Sequence, residues 1–157
     1  LIKQDKPVNM SFFFGHDGNS DRPDAEPKVL EEDLSSSWVT DESAALALIR
    51  LTRENPGTTI VCLGPLTNVA LAIKLDDNFV RQPKKLVIMG GNYYGIGNVD
   101  AFSSAEFNFY GDPEAASIVL SEMEVPISIV PWDMIMLHKE EYKKAVDFYE
   151  HYEAGTP

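Results

Sequence analysis

From residue 40 onward the chain alternates short β-branched or apolar runs with stretches of helical apolar spacing, and few architectures accept that alternation. Residues 58–63, 85–89 and 126–130 are short, continuous and apolar, the signature of buried strands. Residues 41–54, 65–75, 112–122 and 139–152 carry apolar positions three and four apart, the period of a helix with one buried face. Local chemistry agrees at the ends. Thr40 or Asp41 can cap the first helix, and Asn55-Pro56-Gly57 stops it. Asp112-Pro113-Glu114 opens a later helix with a capping carboxylate, a first-turn proline and an acidic residue behind it. Strand and helix in repetition predict an α/β fold: a parallel-sheet core with flanking helices, placed on both faces of the sheet.

Residues 1–37 lack such periodicity. Gly15-His16-Asp17-Gly18-Asn19-Ser20-Asp21-Arg22-Pro23 reads as loop, with a short strand near residues 11–14. The expected organisation is one domain over 1–157, a loop-rich segment at 1–37 followed by the alternating core at 38–157. With 44% hydrophobic residues in 157, the chain can bury one core. Its 25 acidic residues outnumber 13 basic ones, for a net charge of -12. That sign repels phosphate backbones and anionic lipid, so the expected partner is a small molecule or a metal ion, with no nucleic acid. No apolar run approaches the ~20 residues that span a bilayer, so no membrane partner is expected. Cys62 is the one cysteine and sits inside an apolar run, where it reads as packing. Without an internal disulfide, a reducing, cytoplasmic compartment is the expectation. The first residue is leucine, which fits a processed or partial chain.

In an open parallel sheet, ligands bind beyond the carboxyl ends of the strands. That rule nominates Leu63-Gly64-Pro65, residues 89–108, and Pro131-Trp132-Asp133. The middle stretch is the richest, with Asn92, Asn98, Asp100, Glu106 and Asn108. A carboxylate among carboxamides suits a polyhydroxylated ligand, because each sugar hydroxyl donates and accepts, Glu accepts, and Asn does both. In Glu106-Phe107-Asn108 an extended backbone would aim the two polar side chains to one side; a helical turn would make them diverge. The plainer alternative is that these residues satisfy loop backbone groups. Glu106 resists it most, since a carboxylate between Ala105 and Phe107, ahead of a core helix, requires a partner. His16 reads as a solvated loop histidine.

Four stretches together are similar to one family. They are Leu63-Gly64-Pro65-Leu66-Thr67-Asn68-Val69-Ala70-Leu71-Ala72, Met89-Gly90-Gly91, Gly97-Asn98, and Ala105-Glu106-Phe107-Asn108-Phe109-Tyr110-Gly111-Asp112-Pro113-Glu114-Ala115-Ala116. In order and spacing they resemble the inosine-uridine-preferring nucleoside hydrolases. The resemblance implies a Rossmann-like domain and hydrolysis of ribonucleosides to ribose and free base with calcium. It implies that Asn98, Glu106 and Asn108 hold the ribose hydroxyls, with Asn92 the alternative to Asn98. Met89 would pack beside the sugar, and Phe107 and Phe14 would lie on the base side. The backbone carbonyl of Leu63 would be a calcium ligand; a carbonyl oxygen suits that ion whatever the side chain. Homo-oligomers are expected on the same ground.

The family's acidic run of the form D-x-D-x-x-x-D-D, which supplies calcium carboxylates and the general base, has no counterpart here. Neither has its later His-Asp pair. The general base is therefore expected N-terminal to these residues, and the chain alone is expected to be inactive. The alternatives are a degenerate homologue that binds nucleoside or ribose without cleaving it, and an acidic binding module outside the family.

Overall fold

The computed structural model describes residues 11–17, 21, 41–99 and 104–141. Three strands, β1 (Thr59–Cys62), β2 (Lys85–Met89) and β3 (Ile127–Val130), form one sheet in the order β1-β2-β3. Both pairings are parallel, with Cys62 beside Ile88 and Ile88 beside Ile129. All three fall inside the predicted stretches. Parallel neighbours need crossover connections, and helices supply them.

α1 is a single turn at Ser11–Phe14; α2 spans Ala44–Glu54, α3 Thr67–Leu75, α4 Phe107–Gly111, α5 Pro113–Glu122 and α6 Trp132–Leu137. A 3-10 turn lies at Phe79–Arg81. The strand expected near residues 11–14 is thus a helical turn. It closes with Gly15 N–H donating to the Ser11 carbonyl at 2.9 Å, and Gly15 takes the positive φ of a helix C-terminus. The cap of α2 is Ser43, whose hydroxyl accepts from Leu46 N–H, not Thr40 or Asp41. α5 opens as expected: Asp112 Oδ1 accepts from Ala115 N–H at 3.0 Å, and Pro113 occupies the first turn. The helix expected over 139–152 begins at residues 139–141, and its remainder lies outside the described residues.

The core explains which face of each element is apolar. Leu86 and Ile88 on β2 are fully buried, and Cys62 on β1 shares their face. Ala45 and Ile49 of α2, Val69, Ala70, Ala72 and Ile73 of α3, Phe79, and Ala115, Ala116 and Val119 of α5 complete one cluster. Each large side chain removed from water here contributes about 1.5–3 kcal/mol. The alternate residues Val61, Met89 and Val130 point to the opposite face and are exposed. Helices were expected on both faces; among the described residues α2, α3 and α5 share one. No described helix is long and apolar enough to cross a membrane.

Candidate functional site

Two glycines shape the exit from β2. At Gly90 an added Cβ would stand 2.7 Å from Phe109 Cε1, and Gly91 has φ +70° with the same ring 3.0 Å from its Cβ position. Only glycine lets the ring lie flat on this backbone while the chain turns away from the sheet. Phe109 belongs to α4, so the exit of β2 and the start of α4 are pressed together.

Glu106 fastens the contact. It has extended backbone angles, and its side chain caps α4. Oε1 accepts from Asn108 N–H at 2.9 Å, while Oε2 accepts from Phe109 N–H at 3.1 Å and from Gly91 N–H at 2.8 Å. A buried carboxylate receiving three backbone donors is well compensated for lost hydration. Asn108, also buried, donates from Nδ2 to the Met89 carbonyl at 3.0 Å. The local structure is a helical turn, yet both side chains reach the end of β2. They do so because Glu106 stands as the cap with extended angles, ahead of the helix and not inside it.

Asn98 approaches from the loop. Its Oδ1 accepts from Phe107 N–H at 2.7 Å, and its own N–H donates to the Ala105 carbonyl at 3.0 Å. Asn92, the alternative, donates to the Ser104 carbonyl. The Phe14 and Phe107 rings stand 6.3 Å apart, tilted by 53°. Met89, Asn98, Glu106, Phe107 and Asn108 are thus brought into one bonded cluster, with Phe14 against it. Leu63 follows Cys62, so the strand register puts it level with Met89 at the same sheet edge. It is 68% exposed, and no hydrogen bond ties it to the cluster. Asp100 lies outside the described residues. His16 is exposed in its turn, as expected, with its N–H donating to Asp21.

The polar atoms left over define the site's chemistry. Among the described residues no buried side-chain N or O lacks a partner, and Asn98 Nδ2 and Asn108 Oδ1 take no part in the bonds that fix the cluster. One is a donor and the other an acceptor, on residues that flank Glu106. That pairing matches a hydroxyl, which gives one proton and takes another.

One buried residue went unnoticed individually in the sequence. Asp133, 2% exposed, accepts from Tyr93 N–H at 2.5 Å and from Tyr94 N–H at 3.1 Å. Burial pushes its carboxyl up, but backbone donors from Tyr93, Tyr94, Asp133 itself and Ile96 prevail and hold it below the usual aspartate value. Its only sequence signal was position, just past the third strand. A cavity of about 420 Å³ opens beside it, between Tyr93, Tyr94, Val130, Met134 and Leu137; Asn98, Glu106 and Asn108 do not line it. Cys62 is buried and burial raises its thiol pKa, which suits packing and not nucleophilic chemistry.

The donors among the described residues do not by themselves make a calcium site. Among the described residues no group of three or more His, Cys, Asp or Glu could hold a metal ion. Leu63 offers a single carbonyl, and the Glu106 carboxylate is taken up by backbone N–H groups, whereas calcium takes roughly 6–8 oxygens.

The sequence profile of the family described as inosine-uridine preferring nucleoside hydrolase matches residues 2–156. The chain is 51% identical over 83 residues to uridine nucleosidase 1 of Arabidopsis thaliana, covering 52% of this chain and 24% of that protein. It is 37% identical over 121 residues to probable uridine nucleosidase 2 of Oryza sativa subsp. japonica, covering 76% of this chain and 33% of that one. Among solved structures, a plant nucleoside hydrolase, the PpNRh1 enzyme, superposes with a TM-score of 0.66 at 35% identity. The match covers 82% of this chain and 37% of that one. The chain therefore spans about a quarter to a third of the curated relatives' length.

Proposed function

The chain belongs to the inosine-uridine preferring nucleoside hydrolase family, and from that premise we propose that it carries the ribose-holding part of an N-glycosidase that cleaves ribonucleosides to ribose and free base. The observation that carries this reading is the pair of amide atoms, Asn98 Nδ2 and Asn108 Oδ1, left unused by the bonds of a cluster built on a Glu106 carboxylate fixed by three backbone donors. The two Asn side chains are already immobilised through their other ends. They meet a ligand without further loss of rotamer freedom, which is how positioning lowers a barrier.

In this reading Asn98 and Asn108 take ribose hydroxyls, and Glu106 sets the backbone on which both ride. Met89, a third exposed at the sheet edge, lies against the sugar. Phe107 with Phe14 offers aromatic surface to the base. The Arabidopsis relative's name speaks for uridine as the first substrate to try. The sugar can be held through its hydroxyls while positive charge develops at its anomeric carbon; activation of water requires groups that these residues do not provide. The described residues do not accommodate the calcium of the family, and the 157 residues contain no D-x-D-x-x-x-D-D run. Alone, the chain is a nucleoside binder and not a catalyst.

The test measures ribose release from uridine and inosine, with calcium added, by the 157-residue chain and by a version extended at both ends with the relative's segments. The expected result is turnover by the extended version alone, and saturable uridine binding by both. Equal turnover by the two, abolished by a chelator, would place the catalytic metal site within residues 1–157 and overturn the assignment. Absence of uridine and ribose binding to either would remove the ribose-holding role.

A further inference from the structure

The buried carboxylate of Asp133 takes no part in the contacts assigned to the sugar, yet it grips the loop that carries Asn98. We infer that Asp133 is a positioning residue that sets the conformation of residues 91–98 and thereby keeps Asn98 seated on the Phe107 N–H. The inference rests on the reading above only in assigning that loop to ribose.

The connections run in series. Trp132 N–H donates to the Gly91 carbonyl at 3.0 Å, and Gly91 N–H donates to Glu106 at 2.8 Å. One residue on in α6, the Asp133 carboxylate collects the N–H groups of Tyr93 and Tyr94, two and three residues past Gly91. The chain then turns at Gly95, φ +71°, and returns to Asn98, which bonds Ala105 with its backbone and Phe107 with its side chain. The first turn of α6 is thus the anchor of the loop, and the first turn of α4 is its landing point. Tyr93 is 81% exposed and Tyr94 67% exposed, so side-chain burial does not hold this stretch. Two N–H groups turned inward onto a carboxylate do. A loop with so little buried side chain takes much of its shape from such bonds, and loosens when the acceptor is removed.

Asp133→Asn tests this. The substitution keeps the shape of the side chain but turns one acceptor oxygen into an NH2 group that faces a backbone donor. Amide hydrogen exchange is followed in the 157-residue chain at Tyr93, Tyr94 and Phe107, with Leu86 and Ile88 of β2 reporting global opening. Exchange should rise about tenfold or more at Tyr93, Tyr94 and Phe107, with β2 unchanged. A rise at Tyr93 and Tyr94 while Phe107 stays protected would overturn the inference, as would an equal rise at every site. Should Asp133→Asn lose β2 protection altogether, Asp133→Glu, which keeps the charge one methylene farther out, is read by the same criteria.

A second measurement separates this inference from the function it builds on. In uridine binding, Asp133→Asn should weaken affinity by about the factor that Asn98→Ala does, and the double variant should be no weaker than Asn98→Ala alone. Additive losses would mean that Asp133 does not act through Asn98. If the unaltered chain binds no nucleoside, the ribose assignment fails, while the Phe107 exchange still decides whether Asp133 seats Asn98.

Discussion

The Thr67 hydroxyl donates to Asp112 Oδ2 at 2.6 Å across 45 residues of sequence, while the other oxygen of the same carboxylate caps α5. One buried side chain thereby joins the start of α3, just after β1, to the junction of α4 and α5. Beside it, an added Cβ on Gly111 would meet Pro65 Cγ at 2.9 Å, so the two turns lie in close contact. Thr67→Val, which keeps the shape and deletes the donor, should cost about 1.5–3 kcal/mol, the range for a hydrogen bond to a charged group. Thr67→Ser should restore most of it. Urea unfolding of the three proteins decides the matter, and a loss below about 0.5 kcal/mol in Thr67→Val would show the bond to be dispensable.

Gly90→Ala places a methyl group 2.7 Å from the Phe109 ring, which α4 presses against the exit of β2. Overpacking of this kind costs about 1–3 kcal/mol. Phe109→Leu should relieve part of that cost, so the double variant should be more stable than the sum of the single losses allows. Strict additivity in thermal unfolding would mean that the ring moves aside freely.

Asn98→Asp is a sharper probe of the site than alanine. It retains an oxygen for the Phe107 N–H, so the unfolding free energy should stay within about 0.5 kcal/mol of the unaltered chain. It replaces the Nδ2 donor, unused within the cluster, by an acceptor, and uridine affinity measured by calorimetry should fall about tenfold, one lost hydrogen bond. Unchanged affinity would take Asn98 out of the sugar contacts and turn attention to Asn92.

Asp133 gives the stability a pH dependence whose direction follows from its environment. Its folded-state pKa is held below the ordinary aspartate value of 3.8. The unfolded chain therefore binds the proton first as pH falls. The contribution is complete above about pH 4 and is lost as the pH drops through the lower folded value. Urea midpoints between pH 6 and pH 2.5 should fall less steeply in Asp133→Asn than in the unaltered chain. Parallel curves for the two would show that other carboxylates carry the acid limb.

The alternation of apolar runs, read one residue after another, was enough to place three parallel strands and the bodies of α2, α3 and α5. Strand and helix differ in the period of their buried side chains, and period is a property of the sequence alone. The Asp112-Pro113 start of α5 was legible for the same reason, since a cap bonds within one turn. The motifs around Asn98, Glu106 and Asn108 also marked the family before any coordinates. What sequence could not supply depends on partners distant along the chain. The exception is α1, whose closing bond from Gly15 to Ser11 is local but whose four residues are too few for period to separate helix from strand. Cover for the sheet gathered on one face because helix-to-sheet docking is a matter of three-dimensional packing. Above all, Glu106 invited a reading as a ligand group, and only tertiary structure shows that its oxygens also hold the N–H groups of Gly91, Asn108 and Phe109. Asp133 showed only its place after a strand; the N–H groups it holds belong to residues 39 and 40 positions earlier. A buried carboxylate must find donors somewhere, which the sequence requires, but which donors it finds is settled only when the chain has folded.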